Sequence, residues 1–231
     1  MSKAMVLLSG GLDSATVLQM AKEDGHELYA MTFRYGQRHE AEVRLACRLA
    51  EKAEVVKHVI VDINLRVFGG SALTSDLEVP KGRSTETIGS DIPITYVPAR
   101  NTVFLAYATA WAEVLECDSI YIGANVVDYS GYPDCRPEYL AAFEKVANLG
   151  TRRGVEYNSI RVRAPILHMD KASIVREGLR LGVDYSLTLS CYDPSSEGRP
   201  CRECDACRLR SSGFAGNNVQ DPSLVDDEVQ E

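Results

Sequence analysis

Short apolar runs alternate with helical patterns along the first part of the chain. The runs cover Ala4–Leu8, His26–Phe33 and Val55–Ile63. Between them, segments near Ser14–Glu23 and Glu40–Ala53 repeat apolar residues at the spacing of a helix face. Strands that alternate with helices in this way form β-α-β units, whose strands pair in parallel. The pattern therefore predicts an α/β fold built on an open, doubly wound, mainly parallel sheet.

The alternation continues in the second half of the chain. An apolar helix from Thr102 to Leu115 precedes a strand over Ser119–Ala124. After a polar loop come a helix near Pro137–Leu149 and a candidate strand or extended connection over Arg161–Pro165. Asp170 is predicted to cap the following helix, because its carboxylate can accept the free amide groups of the first turn.

Two stretches lack this regular pattern. Asn64 to Pro98 is punctuated by Gly and Pro over a length that is unusual for a connection, which indicates a lid or a disordered insertion. Beyond Ser190 the residues Cys, Arg, Gly and Pro dominate, and the last residues are acidic. We therefore predict a main domain over 1–189, a small cysteine-rich lobe over 190–216 and a loose acidic tail over 217–231.

The composition narrows the choice of ligand. The 231 residues are 45% hydrophobic, enough for a full core, and carry a formal net charge of −8. This acidic balance gives no broad basic surface, so small-molecule substrates are expected and neither nucleic acid nor membrane is. No apolar run has the length of a signal-peptide core or a membrane span, which predicts a cytoplasmic protein.

The richest motif is Ser9-Gly10-Gly11-Leu12-Asp13-Ser14, which follows the first predicted strand and precedes the first predicted helix. Two adjacent glycines allow a tight turn that gathers amide groups, and the helix N-terminus adds a positive dipole, so the motif is expected to bind a phosphate. A plain strand-to-helix turn with Asp13 or Ser14 as the N-cap is the alternative. The spacing fits neither a Walker A loop nor a dinucleotide-binding loop.

A cysteine cluster lies near the C-terminus of the sequence. The chain has seven cysteines, and an odd number argues against a disulfide scaffold. The spacing of four of them predicts a closed structural Zn²⁺ site with bonds of about 2.3 Å, and an iron–sulfur cluster is the alternative. The predicted ligands are Cys191, Cys201, Cys204 and Cys207. Their negative charge is expected to be offset by Arg199, Arg202, Arg208 and Arg210.

Three further segments carry candidate binding groups. Arg38 and His39 follow the second predicted strand, where they could face a phosphate or an adenine ring. Arg100 is available for an anion, and Asn101 is placed to cap the helix that follows. The loop from Asn125 to Arg136 combines carboxylate, phenol and guanidinium groups at the expected ligand edge of the sheet, which indicates a recognition site.

Together these segments resemble the 7-cyano-7-deazaguanine synthase family, the nitrile-forming ligases of queuosine biosynthesis. The matching motifs are SGGLDS, YGQRH, VPARN, DYSGYPDCR, and SCYDP followed by CRECDACRLR. They span Ser9 to Arg210, which is nearly the whole chain. The first motif resembles the loop of enzymes that split ATP into AMP and pyrophosphate.

The resemblance implies a fold like that of the adenine nucleotide alpha-hydrolases with a zinc-binding C-terminal lobe. It also implies a homodimer that adenylates 7-carboxy-7-deazaguanine, replaces AMP with ammonia, and adenylates the amide to leave a nitrile. Mg²⁺ is expected at Asp13, and the residues expected to act in catalysis are Asp13, Ser14 and Lys171. Those expected to bind ATP are Leu8, Ser9, Gly10, Gly11, Leu12, Asp13, Ser14, Arg38 and Arg100. Those expected to bind the deazaguanine are Asp128 or Asp134 on its N–H edge, Tyr129 on its ring and Arg136 on its carboxylate.

The chain departs from the family pattern at three positions. Arg34 stands where the family usually has Asp, which puts any role of that carboxylate in doubt. Ala99 and Arg202 each replace a usual Gly, which changes backbone freedom more than chemistry. A tRNA-modifying sulfurtransferase with the same type of phosphate loop is the alternative function, although the acidic balance does not suggest a tRNA surface.

Overall fold

The strands form one parallel sheet in the order β3-β2-β1-β4-β5. The computed structural model describes residues 2–83, 88, 91–127 and 131–224. Within them the strands are β1 Lys3–Leu7, β2 Glu27–Arg34, β3 Lys57–Asp62, β4 Ser119–Tyr121 and β5 Arg161–Arg163. Each predicted strand is therefore present, with bounds that differ from the expected ones by at most three residues.

Helices cover both faces of the sheet. Within the described residues they are α1 Leu12–Glu23, α2 Ala41–Lys52, α3 Arg100–Leu115, α4 Pro137–Gly150, α5 Arg152–Tyr157, α6 Lys171–Arg180 and α7 Asp205–Ala215. None of them is both long and apolar enough to cross a membrane.

The central strand β1 is apolar on both faces because each face has its own core. Met5 and Leu7 pack with the buried residues of α3 and α4. Ala4 and Val6 pack on the opposite side, with α1, α6 and part of α2. Alternate residues of one strand thus pack into two different cores, which is the arrangement of a doubly wound sheet. The predicted fold class is confirmed.

Helix α3 begins differently from the prediction. Asn101 was expected to be its N-cap, but the helix starts at Arg100, and Ala99 precedes it in the left-handed region with φ 53°. The cap comes from elsewhere in the chain, because the Asn101 amide donates to Oδ2 of Asp134 at 2.9 Å. Helix α6 follows the prediction, since Asp170 Oδ1 accepts from the amide of Ser173 at 2.7 Å.

The C-terminal region is packed onto the rest of the fold. Phe214 of α7 is buried in the same core as α1 and α6. Arg210, expected beside the cysteines, is instead buried against Asp221, with Nε donating to Oδ2 at 2.7 Å. Asp221 was expected to open a loose tail, so both expectations are wrong at these two residues, because a buried ion pair joins them. Residues 225–231 of that tail lie outside the described residues.

Candidate functional site

A pocket of about 220 Å³ opens at the carboxyl ends of β1 and β4. The strand order reverses between these two strands, so the connections that follow them lead to opposite faces and leave a crevice. Its floor is formed by Leu7–Ser9 after β1 and by Ile122–Asn125 after β4. Open parallel sheets bind their ligands at this place, which makes the crevice the candidate active site.

The first wall of the pocket is the glycine-rich turn that joins β1 to α1. Gly10 lies at φ 85°, in the left-handed region. The Ser9 amide donates to Oγ of Ser14 at 3.1 Å, and that hydroxyl donates to the carbonyl of Gly11 at 3.1 Å. Gly11 is the N-cap and no side chain caps α1, so neither Asp13 nor Ser14 has the capping role of the plain-turn alternative. The turn thus keeps the form of an anion cradle at a helix N-terminus.

The glycine at position 10 is required by the close approach of α2. A Cβ atom there would overlap the main-chain oxygen of Glu42, in the first turn of that helix. The turn and α2 are therefore in direct contact, and this contact brings Glu42 into the pocket wall. Glu42 was not among the residues predicted from sequence. Burial raises the pKa of its carboxyl group to about 8, although the charge of Arg100 opposes the shift.

A buried ion pair lies at the start of α1. Lys171, the first residue of α6, places Nζ 2.6 Å from Oδ1 of Asp13. The lysine is 6% exposed, and Asp13 lines the pocket. Two residues predicted to act in catalysis thus meet, although 157 residues separate them in the sequence.

Arg100 forms the opposite polar wall. Its guanidinium carbon lies 5.6 Å from the centre of the Tyr35 ring and 5.8 Å from that of Phe104. Its Nη1 donates to the Tyr35 hydroxyl at 3.4 Å, and its buried Nε has no hydrogen-bond partner among the described residues. A cation held between two rings and facing the pocket can receive an oxyanion.

Arg38 lies in the pocket wall and also contacts residues outside the pocket. It lines the pocket, but Nη1 lies 3.3 Å from Oδ1 of Asp193, and Nη2 donates to the carbonyl of Leu77. Next to it, Nε2 of His39 lies 3.3 Å from the carbonyl oxygen of Cys191. These contacts join the end of β2 to the cysteine region.

The polar loop from Asn125 to Arg136 is only partly described. Asp128 and Tyr129 lie outside the described residues. Asp134 is 5% exposed and bonded to α3, and Arg136 is the exposed residue before α4. Neither Asp134 nor Arg136 lines the pocket, whereas their neighbours Tyr132 and Cys135 do.

The four predicted metal ligands come together. The Sγ atoms of Cys191, Cys201, Cys204 and Cys207 all lie within 4.8 Å of one another. A tetrahedral Zn²⁺ with bonds of about 2.3 Å places sulfurs about 3.8 Å apart, so the cluster fits the ion after small adjustments.

Main-chain amides orient these sulfurs. The Cys201 amide donates to Sγ of Cys191 at 3.2 Å, and the Cys204 amide donates to Sγ of Cys201 at 3.3 Å. Amide groups directed at sulfur stabilise thiolates, which are the form that binds metal. The cluster can therefore hold a metal ion, as its spacing predicted.

The connection between β3 and α3, residues 64–98, was expected to be a lid or a disordered insertion. Its described part is packed, since Ala72 is fully buried and Leu73 belongs to the pocket wall. Lys81 forms an isolated antiparallel bridge with Cys204, and its Nζ lies 2.9 Å from Oδ2 of Asp193. The connection thus covers one side of the pocket and is tied to the cysteine cluster.

The three departures from the expected pattern have local explanations. Arg34 pairs with Asp62 on the neighbouring strand, Nη1 to Oδ1 at 3.3 Å, and does not line the pocket. Ala99 and Arg202 both adopt positive φ, 53° and 67°, which is the conformation that favours glycine. Replacing glycine there strains the backbone without changing the surrounding groups.

Comparison with known proteins shows what the chain is similar to. A model of the family described as "Queuosine biosynthesis protein QueC" matches residues 3–218. The chain is 56% identical to a 7-cyano-7-deazaguanine synthase of Desulfatibacillum aliphaticivorans over 222 residues, covering 96% of this chain and 95% of the relative. It is 58% identical to a protein of the same name from Geobacter metallireducens over 221 residues, covering 95% and 92%. An NMN synthetase structure from Francisella tularensis matches with a TM-score of 0.50 at 17% identity, covering 95% of this chain and 78% of that one, and so shares the fold.

Proposed function

Because the chain belongs to the queuosine biosynthesis protein QueC family, we propose that it makes 7-cyano-7-deazaguanine from 7-carboxy-7-deazaguanine, ammonia and ATP. The observation that carries this proposal is the pocket at the β1/β4 reversal, which combines a glycine-rich turn suited to an anion, the Asp13 carboxylate that pairs with Lys171, and the polar wall formed by Arg100. Relatives of 54–58% identity share the synthase name, so the sulfurtransferase alternative is not favoured.

The reaction we propose releases AMP and pyrophosphate. The amides of Ser9–Gly11 and the N-terminus of α1 hold the β- and γ-phosphates, and Ser14 supports the turn. Asp13 would hold Mg²⁺, which neutralises phosphate charge when bound. Lys171, buried beside Asp13, stabilises the charge that moves onto the leaving group.

For the second substrate, the geometry favours Arg100 over Arg136 as the partner of the reacting carboxylate, because Arg100 lines the pocket and Arg136 is exposed. Asp128 is the proposed reader of the N–H edge of the base, with Tyr129 against the ring. Asp134 acts through α3, whose first turn it holds. The wall that includes Leu73 keeps water from the acyl-adenylate.

The four cysteines are proposed to bind a structural Zn²⁺, since they close a tetrahedral shell and leave no position for a substrate. We further propose a cytoplasmic homodimer. Metal analysis of the purified protein tests the Zn²⁺ site, and light scattering tests the homodimer.

The decisive experiment incubates the protein with ATP, Mg²⁺, ammonium and 7-carboxy-7-deazaguanine and follows products by mass spectrometry. We expect the nitrile together with AMP and pyrophosphate, and the amide as an intermediate. Formation of ADP, or no consumption of ATP with every reactant present, would contradict the proposal.

A further inference from the structure

The pocket contains a carboxyl group that neither the phosphate loop nor the base-reading loop explains. Glu42 lines the pocket from the first turn of α2. No residue in the described ranges donates a hydrogen bond to its side chain, although it is partly buried. Its oxygens are not among the buried atoms without a partner, so the carboxyl group is open to the pocket and accessible to a ligand.

Glu42 lies in the same pocket as the groups proposed to hold the reacting substrates. Its main-chain oxygen lies against Gly10 of the phosphate turn, so Glu42 borders the site proposed for the phosphates of ATP. Arg100, whose buried Nε has no partner among the described residues, is near enough for its charge to act on Glu42. Tyr35, bonded to Arg100, lines the same region. An anionic acyl group at Arg100 therefore lies on the same side of the pocket as the acidic group of Glu42.

The chemistry of the proposed function requires a second small substrate here. Ammonia occurs near neutral pH mainly as ammonium, a compact cation with no lone pair to attack a carbonyl. A site that uses it has to attract the cation and remove one proton. A carboxylate does both, and a pocket that raises its pKa makes it a stronger base than an exposed carboxylate.

We propose that Glu42 binds ammonium beside the acyl-adenylate and accepts its proton, an inference that rests on the proposed function. The Glu42 carboxylate takes one proton from ammonium. The freed nitrogen lone pair forms a C–N bond at the carbonyl carbon, and the C–O bond to AMP breaks, with its electron pair leaving on the phosphate oxygen. The nitrogen then loses a second proton to solvent, which leaves the neutral amide. The proton on Glu42 returns to solvent before the next turnover.

The test compares Glu42→Gln with wild type in three reactions. Glutamine keeps the size and polarity of a protonated glutamic acid but cannot accept a proton. With ammonium and the carboxylate substrate, we expect kcat/KM for ammonium to fall at least ~10²-fold, the range of general-base catalysis. Pyrophosphate and the acyl-adenylate should still form, because adenylation does not need the nucleophile.

Two bypass reactions separate this role from a structural one. Hydroxylamine is largely unprotonated at neutral pH, so Glu42→Gln should convert the acyl-adenylate to the hydroxamate at nearly the wild-type rate. The amide supplied as substrate should likewise reach the nitrile at nearly the wild-type rate. Glu40→Gln, two residues earlier and outside the pocket lining, is the matched control and should retain the ammonium reaction.

Each of the other possible results would overturn either the role of Glu42 or the proposed function. Unchanged kcat/KM for ammonium in Glu42→Gln would overturn the assignment while wild-type nitrile formation still upholds the proposed function. Loss of the ammonium, hydroxylamine and amide reactions together would also overturn it, because the role would not depend on the nucleophile. Wild-type protein that forms no AMP in any of the three would remove the proposed function and this inference with it.

Discussion

The phosphate turn and the cysteine cluster are both candidate binding sites, yet they are built in opposite ways. The turn consists of main-chain amides and small side chains within one six-residue stretch, and its shape follows from Gly10 and from the neighbouring α2. The cluster gathers four side chains from residues 191–207 and also contacts Lys81 of a distant connection. The turn is thus preorganised by local backbone geometry, whereas the cluster would need a bound metal ion to hold its four thiolates together.

Removing a cysteine tests the cluster most severely. Cys204→Ser takes away one of four sulfurs and leaves the buried remainder without a complete shell. We expect loss of the bound metal and a fall in Tm of more than ~10 °C, since structural metal binding contributes directly to folding. Plasma mass spectrometry and thermal unfolding measure both. Cys47→Ser, outside the cluster, should keep the metal; a full equivalent of metal in Cys204→Ser would refute the four-ligand site.

An added methyl group tests the turn. Gly10→Ala combines an unfavourable φ with overlap of the Glu42 carbonyl, so the turn has to move. We expect ATP affinity to fall at least ~10²-fold, measured by calorimetry. Gly25→Ala is a matched control, because Gly25 has φ 79° but no atom within 4 Å of the new methyl group. Its Tm should fall slightly with ATP affinity unchanged, and equal loss of affinity in both variants would count against the close-packed turn.

Neutralising Lys171 tests whether its charge takes part in catalysis. Lys171→Met keeps the buried stem but leaves Asp13 without the cation 2.6 Å away. We expect kcat for AMP formation to fall ~10²- to 10³-fold, as when one electrostatic contact to a transition state is lost. Lys22→Met, which removes an exposed pair with Glu54, should leave kcat unchanged. Retention of wild-type kcat by Lys171→Met would show that the lysine is structural.

Arg38 lies in the pocket wall and also pairs with Asp193 near the cysteines, so a variant at this position shows whether the residue acts on ATP or only supports the fold. In Arg38→Gln the contacts with Asp193 and with the Leu77 carbonyl are lost. Because the ion pair is partly exposed, we expect less than ~1 kcal/mol in unfolding free energy and a change of a few fold in KM for ATP. Arg66→Gln, which removes an exposed pair with Asp76, is the control. A fall in kcat of ~10²-fold would instead assign Arg38 to the phosphates.

The smallest effects are expected at the two strained positions, Ala99 just before α3 and Arg202 between two cysteines of the cluster. Ala99→Gly and Arg202→Gly relieve positive φ values of 53° and 67°. Each should change unfolding free energy by at most ~1 kcal/mol in the stabilising direction, because the added freedom of the unfolded chain offsets part of the gain. Chemical denaturation measures this, with Ala110→Gly inside α3 as a control that should destabilise by ~1 kcal/mol. Destabilisation by both test variants would contradict the conclusion that the backbone is strained at Ala99 and Arg202.

The same contrast explains what the sequence could predict. Ser9–Ser14 and the four cysteines were identified because each site is nearly contiguous in the chain. Glu42, Leu73 and Phe104 were missed as pocket residues because long-range packing brings them there, and their local patterns are those of ordinary helix and loop residues. The fold class followed from alternating apolar runs, while the strand order required the structure.

Two errors have the same physical origin. Asn101 was expected to cap α3 because a local side chain usually does so, but the carboxylate comes from Asp134, 33 residues later. Arg210 was assigned to the cysteines by sequence proximity, but α7 directs it to a buried carboxylate on the far side. Proximity along the chain predicts neither partner, because helices separate neighbouring residues in space.

Because a backbone bridge joins Lys81 to Cys204, protease cleavage in the connection between β3 and α3 can report metal binding at the cysteines. The Gly82 amide also donates to the carbonyl of Glu203 at 3.0 Å, so the main chain of Lys81 and Gly82 is held against the cysteine loop. A protease requires a freely adaptable segment at the bond that it cuts. Trypsin cleavage after Lys81 should therefore be slow in metal-loaded protein and fast after chelation, so that cleavage of this bond reports whether the cysteines hold metal.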